Sequence, residues 1–281
     1  MNQSTENFLV SENWLVNHLN DENLVVVDCQ WDENAYLRAH IPGALMRPGH
    51  PYVKAMTSDS PDLFLPSEMD FLKMMKDLGI NNDTQVICYD EWDNHFATRL
   101  WWVMDFYGHK NTRLLNGGWQ AWINAGHKVS VQPHKSCIQS APFTIEVNES
   151  KMATMTEVIA AVSDDQMQII DVRSDDEFNG ANQVINKRSR HIPNALQLEW
   201  HKLLAKEGSD DGVNYFHSLN KMESLIQESG IDQNKPLIIH CQSGVRASFT
   251  VFCMAMLGYP NVKLYDGSMF EWANRDDTPL V

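Results

Sequence analysis

The chain has 281 residues, 43% of them hydrophobic and 21% charged, and a formal net charge of −15. That length suffices for two ordinary domains, and the composition is that of a soluble globular protein, not of a disordered or membrane-bound one. The acidic excess leaves no surplus of Lys and Arg to neutralise phosphates, which argues against a nucleic-acid partner, and no apolar run is long enough to span a bilayer.

The N-terminus carries no basic stretch followed by an apolar one, so the expected location is cytoplasmic. A site for a small anion in so acidic a chain needs a local positive field, built from backbone amides and a few placed arginines.

In chain order, the first predicted strand is Leu24-Val25-Val26-Val27, followed by His40-Ile41-Pro42-Gly43-Ala44. Phe71, Leu72, Met75 and Leu78 recur at helical spacing and stop at Gly79. A second strand, Val86-Ile87-Cys88-Tyr89, runs into Asp90. Trp101, Trp102, Trp119 and Trp122 then fall at helical spacings, as packing residues rather than a platform for bases or cofactors. Residues 129–148, with Pro133 and Pro142 among polar residues, have linker composition.

The same series then repeats. Gln168-Ile169-Ile170-Asp171 is followed by His191-Ile192-Pro193-Asn194-Ala195, and a helical pattern at Met222, Leu225 and Ile226 stops at Gly230. The strand Leu237-Ile238-Ile239-His240 leads into Cys241, a helix runs from Ala247 to Gly258, and Leu264-Tyr265-Asp266-Gly267-Ser268 precedes Trp272. The offsets are 171−28=143 from Asp28, which ends the first strand, to Asp171, 191−40=151 between the histidines, 241−90=151 from Asp90 to Cys241, and 267−117=150 from Gly117 in Leu114-Leu115-Asn116-Gly117-Gly118 to Gly267. Four patterns in one order at nearly one spacing mark a tandem duplication. The slip from 143 to 151 places about eight extra residues in the second copy, within residues 179–190. The expected domains are residues 1–144 and 145–281. The fold class is α/β, each copy being a mainly parallel sheet wrapped by helices, because its continuous apolar strands are those of a sheet covered on both faces.

The five cysteines, Cys29, Cys88, Cys137, Cys241 and Cys253, show no paired or ligand spacing, so neither a disulfide framework nor a metal site follows. No glycine-rich phosphate loop appears, and no cofactor is implied. Cys88 and Cys253 sit in apolar runs and read as core residues. Cys241 differs: it stands at the carboxyl end of a parallel strand and opens the loop Gln242-Ser243-Gly244-Val245-Arg246 before a helix, where open α/β sheets bind ligands. The following amides can curl around the sulfur, Gly244 supplies the freedom that a tight curl needs, and Arg246 adds charge. These features favour an anionic sulfur and a persulfide held on it.

His191-Ile192-Pro193, Cys241-x-x-Gly244-x-Arg246 and Tyr265-Asp266-Gly267-Ser268-x-x-x-Trp272 together resemble the rhodanese homology domain, and the tandem arrangement resembles the two-domain thiosulfate and 3-mercaptopyruvate sulfurtransferases. The resemblance implies a catalytic second copy and a silent first copy, where Asp90 stands in place of the cysteine. It implies a small anionic sulfur donor and a cyanide or thiol acceptor, thioredoxin-like dithiols included. Arg173, Arg190 and Arg246 are the candidates for donor binding; Glu177 stands where the family carries a thiosulfate-binding arginine. His40, with Ser243 and Asp32, matches a catalytic grouping of the mercaptopyruvate enzymes, yet His191 marks the histidine as part of the fold in both copies. Two other readings stay open: a cysteine phosphatase or arsenate reductase, whose loop has five residues between Cys and Arg against four here, and a non-catalytic binding or redox module.

Overall fold

The computed structural model describes residues 5–31, 33–47, 65–135, 141–205 and 212–281. They divide into two compact units between Asn148 and Glu149, with residues 212–216 belonging to the first. The sequence alone suggested two unbroken halves meeting near residue 145.

The first unit is a parallel sheet of β1 (Leu9–Val10), β2 (Leu24–Asp28), β3 (Leu45–Met46), β4 (Gln85–Tyr89) and β5 (Thr112–Leu115), in the order β1-β5-β4-β2-β3. Helices α1 (Glu12–His18), α2 (Glu33–Arg38), α3 (Glu68–Leu78), α4 (His95–Phe106) and α5 (Gly118–Asn124) connect the strands. All of β2 is buried and all of β4 except Gln85, which is why these strands are apolar without alternation. The helix anticipated around Phe71 is α3: Ser67 caps its start, and Gly79 ends it in the left-handed conformation at φ 69°.

The second unit repeats the plan. Strands β6 (Met152–Ala153), β7 (Gln168–Asp171), β8 (Leu196–Gln197), β11 (Leu237–His240) and β12 (Val262–Tyr265) pair in parallel in the order β6-β12-β11-β7-β8. That is the first sheet's order position for position. Two short strands, β9 (Leu204–Ala205) and β10 (Tyr215–Phe216), fall between β8 and β11 in the chain. The helices are α6 (Met155–Ala161), α7 (Asp175–Phe178), α8 (Leu219–Glu228), α9 (Val245–Leu257) and α10 (Ser268–Trp272). Helix α9 begins two residues before the predicted start, because Gly244 at φ 81° turns the chain directly into it.

Packing repeats as well. Trp122 and Trp272 are fully buried at matching places, and each indole N–H reaches a backbone carbonyl, Lys128 O at 2.9 Å and Pro279 O at 2.8 Å. Each indole thereby buries its apolar area without leaving its one donor unpaired. Among the described residues, no helix is long and apolar enough to cross a membrane.

Candidate active site

Cys241 directly follows β11, the central strand of the second sheet, and is 1% exposed. Its sulfur accepts the Ser243 N–H at 3.3 Å. The loop is held from behind by Ser268, whose hydroxyl accepts the N–H groups of Cys241 at 3.2 Å and Gly244 at 3.1 Å while donating to Tyr265 O at 2.8 Å. The Cys241 and Gln242 carbonyls accept the Met269 and Phe270 amides. With both sides of the loop fixed to the turn after β12, the sulfur has a preset position. Helix α9 closes its first internal bond only at Ser248, whose N–H donates to Gly244 O. Its first amides are therefore left to face the loop, a ready site for negative charge.

The first copy holds a corresponding loop, already filled by a side chain of its own. The Asp90 carboxylate follows β4 and accepts backbone N–H groups from Trp92 at 2.6 Å, Asn94 at 2.9 Å and Ala97 at 2.8 Å. Ala97 is the third residue of α4, as Ala247 is of α9. The helix caps are Asn94 and Gly244, offset by 244−94=150, whereas Asp90 and Cys241 are offset by 241−90=151, so the first loop is one residue longer. Burial pushes Asp90 up to about 7, although the Ala97, Trp92 and Asn94 amides pull it down. The sequence suggested that the acids of this loop repel an anion; in the structure a carboxyl group of the chain itself already occupies the cradle.

Two of the three candidate arginines, Arg173 and Arg246, are held in ion pairs. Arg246, anticipated as a source of local positive charge and a candidate for donor binding, donates from Nη1 to Glu177 Oε2 at 2.6 Å and from Nη2 to Glu177 Oε1 at 2.8 Å. Burial works against its charge, but the hydrogen bonds to Glu177 and the attraction of Cys241 and Glu177 prevail, so Arg246 titrates above its ordinary value. Arg173 is 1% exposed and grips Asp171 through Nε at 3.0 Å and Nη2 at 2.7 Å, with Nη2 also reaching Arg190 O at 3.0 Å. That is the structural ion pair of a strand end. Arg190 is exposed, and its side chain makes no ion pair among the described residues.

The extra segment at residues 179–190 reaches the loop. Asn186, 8% exposed, forms a reciprocal amide pair with Gln242: its Nδ2 donates to Gln242 Oε1 at 3.0 Å, and Gln242 Nε2 donates to Asn186 Oδ1 at 2.7 Å. Arg188 anchors the segment to Trp272 O and Thr278 O, and the Lys187 N–H donates to Asn274 Oδ1. The basic residues of this segment therefore serve partly as fasteners.

His40 is fully buried in the first unit, stacked on Tyr36 at 3.7 Å, with its ring nitrogens against Tyr36 O at 2.8 Å and Gln132 O at 3.1 Å. His191 repeats the arrangement on Phe178, at 3.7 Å, with Nδ1 against Phe178 O at 2.9 Å. The pairing of histidine with the preceding helix thus belongs to the domain plan. Asp32 lies outside the described residues. His240 is buried behind the loop; burial lowers its pKa and keeps the ring neutral. Burial raises Cys253 well above the ordinary thiol value, which makes it inert. Among the described residues, no group of His, Cys, Asp or Glu could hold a metal ion.

Two residues of this site carried no assigned part in the sequence reading. Ser268 was visible only within a motif, although its replacement of Gly118 at a shared left-handed turn, φ 51° against 55°, is the signal that it does more than pack. Asn186 lies in a segment without a counterpart in the first copy, so comparing the copies could not reveal it.

The profile of the Rhodanese-like domain matches residues 11–125 and 154–275. The chain is 31% identical over 288 residues to the sulfur carrier protein TtuD of Thermus thermophilus, covering 97% of this chain and 96% of that one. It is 30% identical over 286 residues to the 3-mercaptopyruvate sulfurtransferase of Escherichia coli K12, covering 97% of each. With the thiosulfate sulfurtransferase of Bos taurus the identity is 29% over 284 residues, covering 95% of this chain and 92% of that one. Among solved structures, SseA from Escherichia coli, 28% identical, matches with a TM-score of 0.82 over 93% of this chain and 98% of its own.

Proposed function

The chain belongs to the rhodanese-like domain family, and from that membership we propose that it is a sulfurtransferase in which Cys241 carries the transferred sulfur as a persulfide. The thiolate attacks the outer sulfur of the donor, a Cys–S bond forms, and the electron pair of the broken bond leaves with the donor remnant. From thiosulfate the remnant is sulfite. From 3-mercaptopyruvate it is pyruvate, the thiol proton ending on the carbon that lost sulfur. An acceptor nucleophile, cyanide or the thiolate of a thiol or thioredoxin-like dithiol, then attacks the persulfide's outer sulfur and regenerates the Cys241 thiolate.

The observation that carries this reading is the Cys241 sulfur receiving the Ser243 N–H at 3.3 Å, in a loop whose counterpart in the first copy surrounds a carboxyl group with three amides. What those amides do for Asp90, the loop from Gln242 to Arg246 does for a bound anionic sulfur. Of the three candidate arginines, Arg173 serves the fold, Arg246 frames the cradle, and exposed Arg190 is left to attract the donor. A phosphatase or arsenate-reductase reading needs a loop arginine that grips a tetrahedral oxyanion, and Arg246 grips Glu177.

Incubation of the protein with either donor leaves one extra sulfur on Cys241, seen by intact-mass spectrometry and removed by cyanide. In Cys241→Ser both the adduct and turnover vanish. Turnover by that variant, or single-turnover samples of the native protein that consume donor without gaining sulfur, would overturn the reading.

A further inference from the structure

Glu177 is built to hold one position. It is the third residue of α7, and it closes a capping box in which the Ser174 hydroxyl and N–H donate to Oε2 at 3.0 and 3.3 Å. So fixed, its carboxylate meets both terminal nitrogens of Arg246, the second residue of α9. Burial opposes the charge on Glu177, yet the bonds and charge of Arg246 hold its carboxyl below the ordinary range, so the pair is fully ionised at neutral pH. The side chains are 7% and 25% exposed, which makes the contact a partly desolvated, end-on ion pair rather than a loose surface contact.

The pair has a consequence for whatever approaches the sulfur. Arg246 lies in the first turn of the helix that the Cys241 loop opens, five residues after the sulfur-bearing residue. With Glu177 on its guanidinium, the pair has no net charge, and the neighbouring Arg173–Asp171 pair cancels likewise. An anionic donor meets two neutral pairs in a chain of net charge −15. Each further negative charge on the donor therefore brings repulsion from the chain that these two pairs do nothing to offset, which leaves the loop amides and exposed Arg190 as the remaining attraction.

We infer that Glu177 is a specificity-determining residue that sets the charge of the donor: by occupying Arg246 it tunes the site to sulfur donors with one negative charge, or none, over dianions. The inference rests on the persulfide reading above. Neutralising Glu177 exposes one positive charge, and the gain in attraction scales with the donor's own charge. At a separation of about 8 Å and an effective dielectric constant of about 40, the gain is roughly fivefold in rate for a monoanion and roughly twenty-five-fold for a dianion. Gln keeps the capping box, so Glu177→Gln changes charge with little change of backbone.

The test compares two donors of like chemistry and different charge, thiosulfate (a dianion) and methanethiosulfonate (a monoanion). In each, the Cys241 thiolate attacks the outer sulfur, the S–S bond breaks, and the electron pair leaves on sulfite or methanesulfinate. Single-turnover persulfide formation is measured by intact mass in the native protein, in Glu177→Gln and in Arg246→Gln. The expected result is a thiosulfate-to-methanethiosulfonate rate ratio that rises roughly fivefold in Glu177→Gln and falls by a similar factor in Arg246→Gln, where Glu177 stands alone. A purely structural role would slow both donors equally and leave the ratio unchanged. An unchanged ratio with the adduct still forming would overturn the charge-selection inference and leave the persulfide reading standing; absence of the adduct with both donors in the native protein would overturn both.

Discussion

Ser268→Ala removes one oxygen atom and tests whether the catalytic loop is held from outside itself. That oxygen is buried and takes part in three hydrogen bonds: two accepted from the loop, Cys241 N–H at 3.2 Å and Gly244 N–H at 3.1 Å, and one donated to Tyr265 O at 2.8 Å. A buried amide left without a partner costs about 1–3 kcal/mol, and relaxation of the loop recovers part of the sum, so the expected destabilisation is about 2–4 kcal/mol. For a unit of this size that lowers the midpoint of thermal unfolding by roughly 6–12 °C. Sulfur transfer suffers beyond stability, because both orphaned amides lie at the ends of the arc around the sulfur; single-turnover persulfide formation should fall by about two orders of magnitude.

Ser268→Gly separates the two effects. It deletes the same bonds but relieves a non-glycine residue at φ 51°, so it should be about 1 kcal/mol more stable than Ser268→Ala while equally slow. Calorimetry and intact-mass kinetics on the two variants decide the matter. An alanine variant with native stability and native rate would show that the loop holds its own shape and that Ser268 merely fills space.

Asn186→Ala breaks the reciprocal amide pair with Gln242 and should lower the rate of persulfide formation about tenfold, with a loss of about 1–2 kcal/mol in denaturant unfolding. Gln242→Ala in the same background should add little further loss, since the two side chains act as one unit. The two copies should also respond differently to pH. Burial raises Asp28 and Asp90 to about 7, above the unfolded carboxyl value of 3.8, so their stabilising contribution is complete below that value and is lost as pH rises through 7. Asp171 and Glu177 are lowered, so their contribution persists at neutral pH and is lost only as pH falls below the ordinary carboxyl range. Between pH 5.5 and 8.5 the first unit should lose about 1–2 kcal/mol for each of its two carboxyls, followed by hydrogen exchange in residues 85–106 after correction for intrinsic rates. Asp90→Asn should remove about half of that dependence, Asp28 supplying the rest, and an equal loss across the second unit would contradict it.

The central strands were legible because parallel strands buried on both faces must be continuously apolar, as Val25-Val26-Val27 and Ile238-Ile239 are. The edge strands β1, β3, β6 and β8 were not, since two residues carry no period. The position of Cys241, our proposed nucleophile, could be read from local order, since a strand precedes it and Gly244 and a helix follow it. Its surroundings could not, because Glu177 reaches Arg246 across 69 positions and Ser268 reaches Cys241 across 27, and nothing in either local pattern announces the partner. Charge was thus legible as an inventory of residues and illegible as a field, which depends on which opposite charges touch.

The extra residue in the Asp90 loop bears on whether the first copy could hold a sulfur as we propose the second does. Had the two arcs been of equal length, one substitution at Asp90 would restore a sulfur at the focus of the amides. As built, a cysteine there would sit in an arc with one more peptide unit, with Asp93 and Asn94 both left-handed at φ 59° and 63° and Asn94 bonded through its side chain to Leu115 O. On the persulfide reading, placing a sulfur there as Cys241 is placed calls for a deletion together with a substitution. The Asp90 loop therefore differs from the Cys241 loop in length and in backbone as well as in the side chain it encloses.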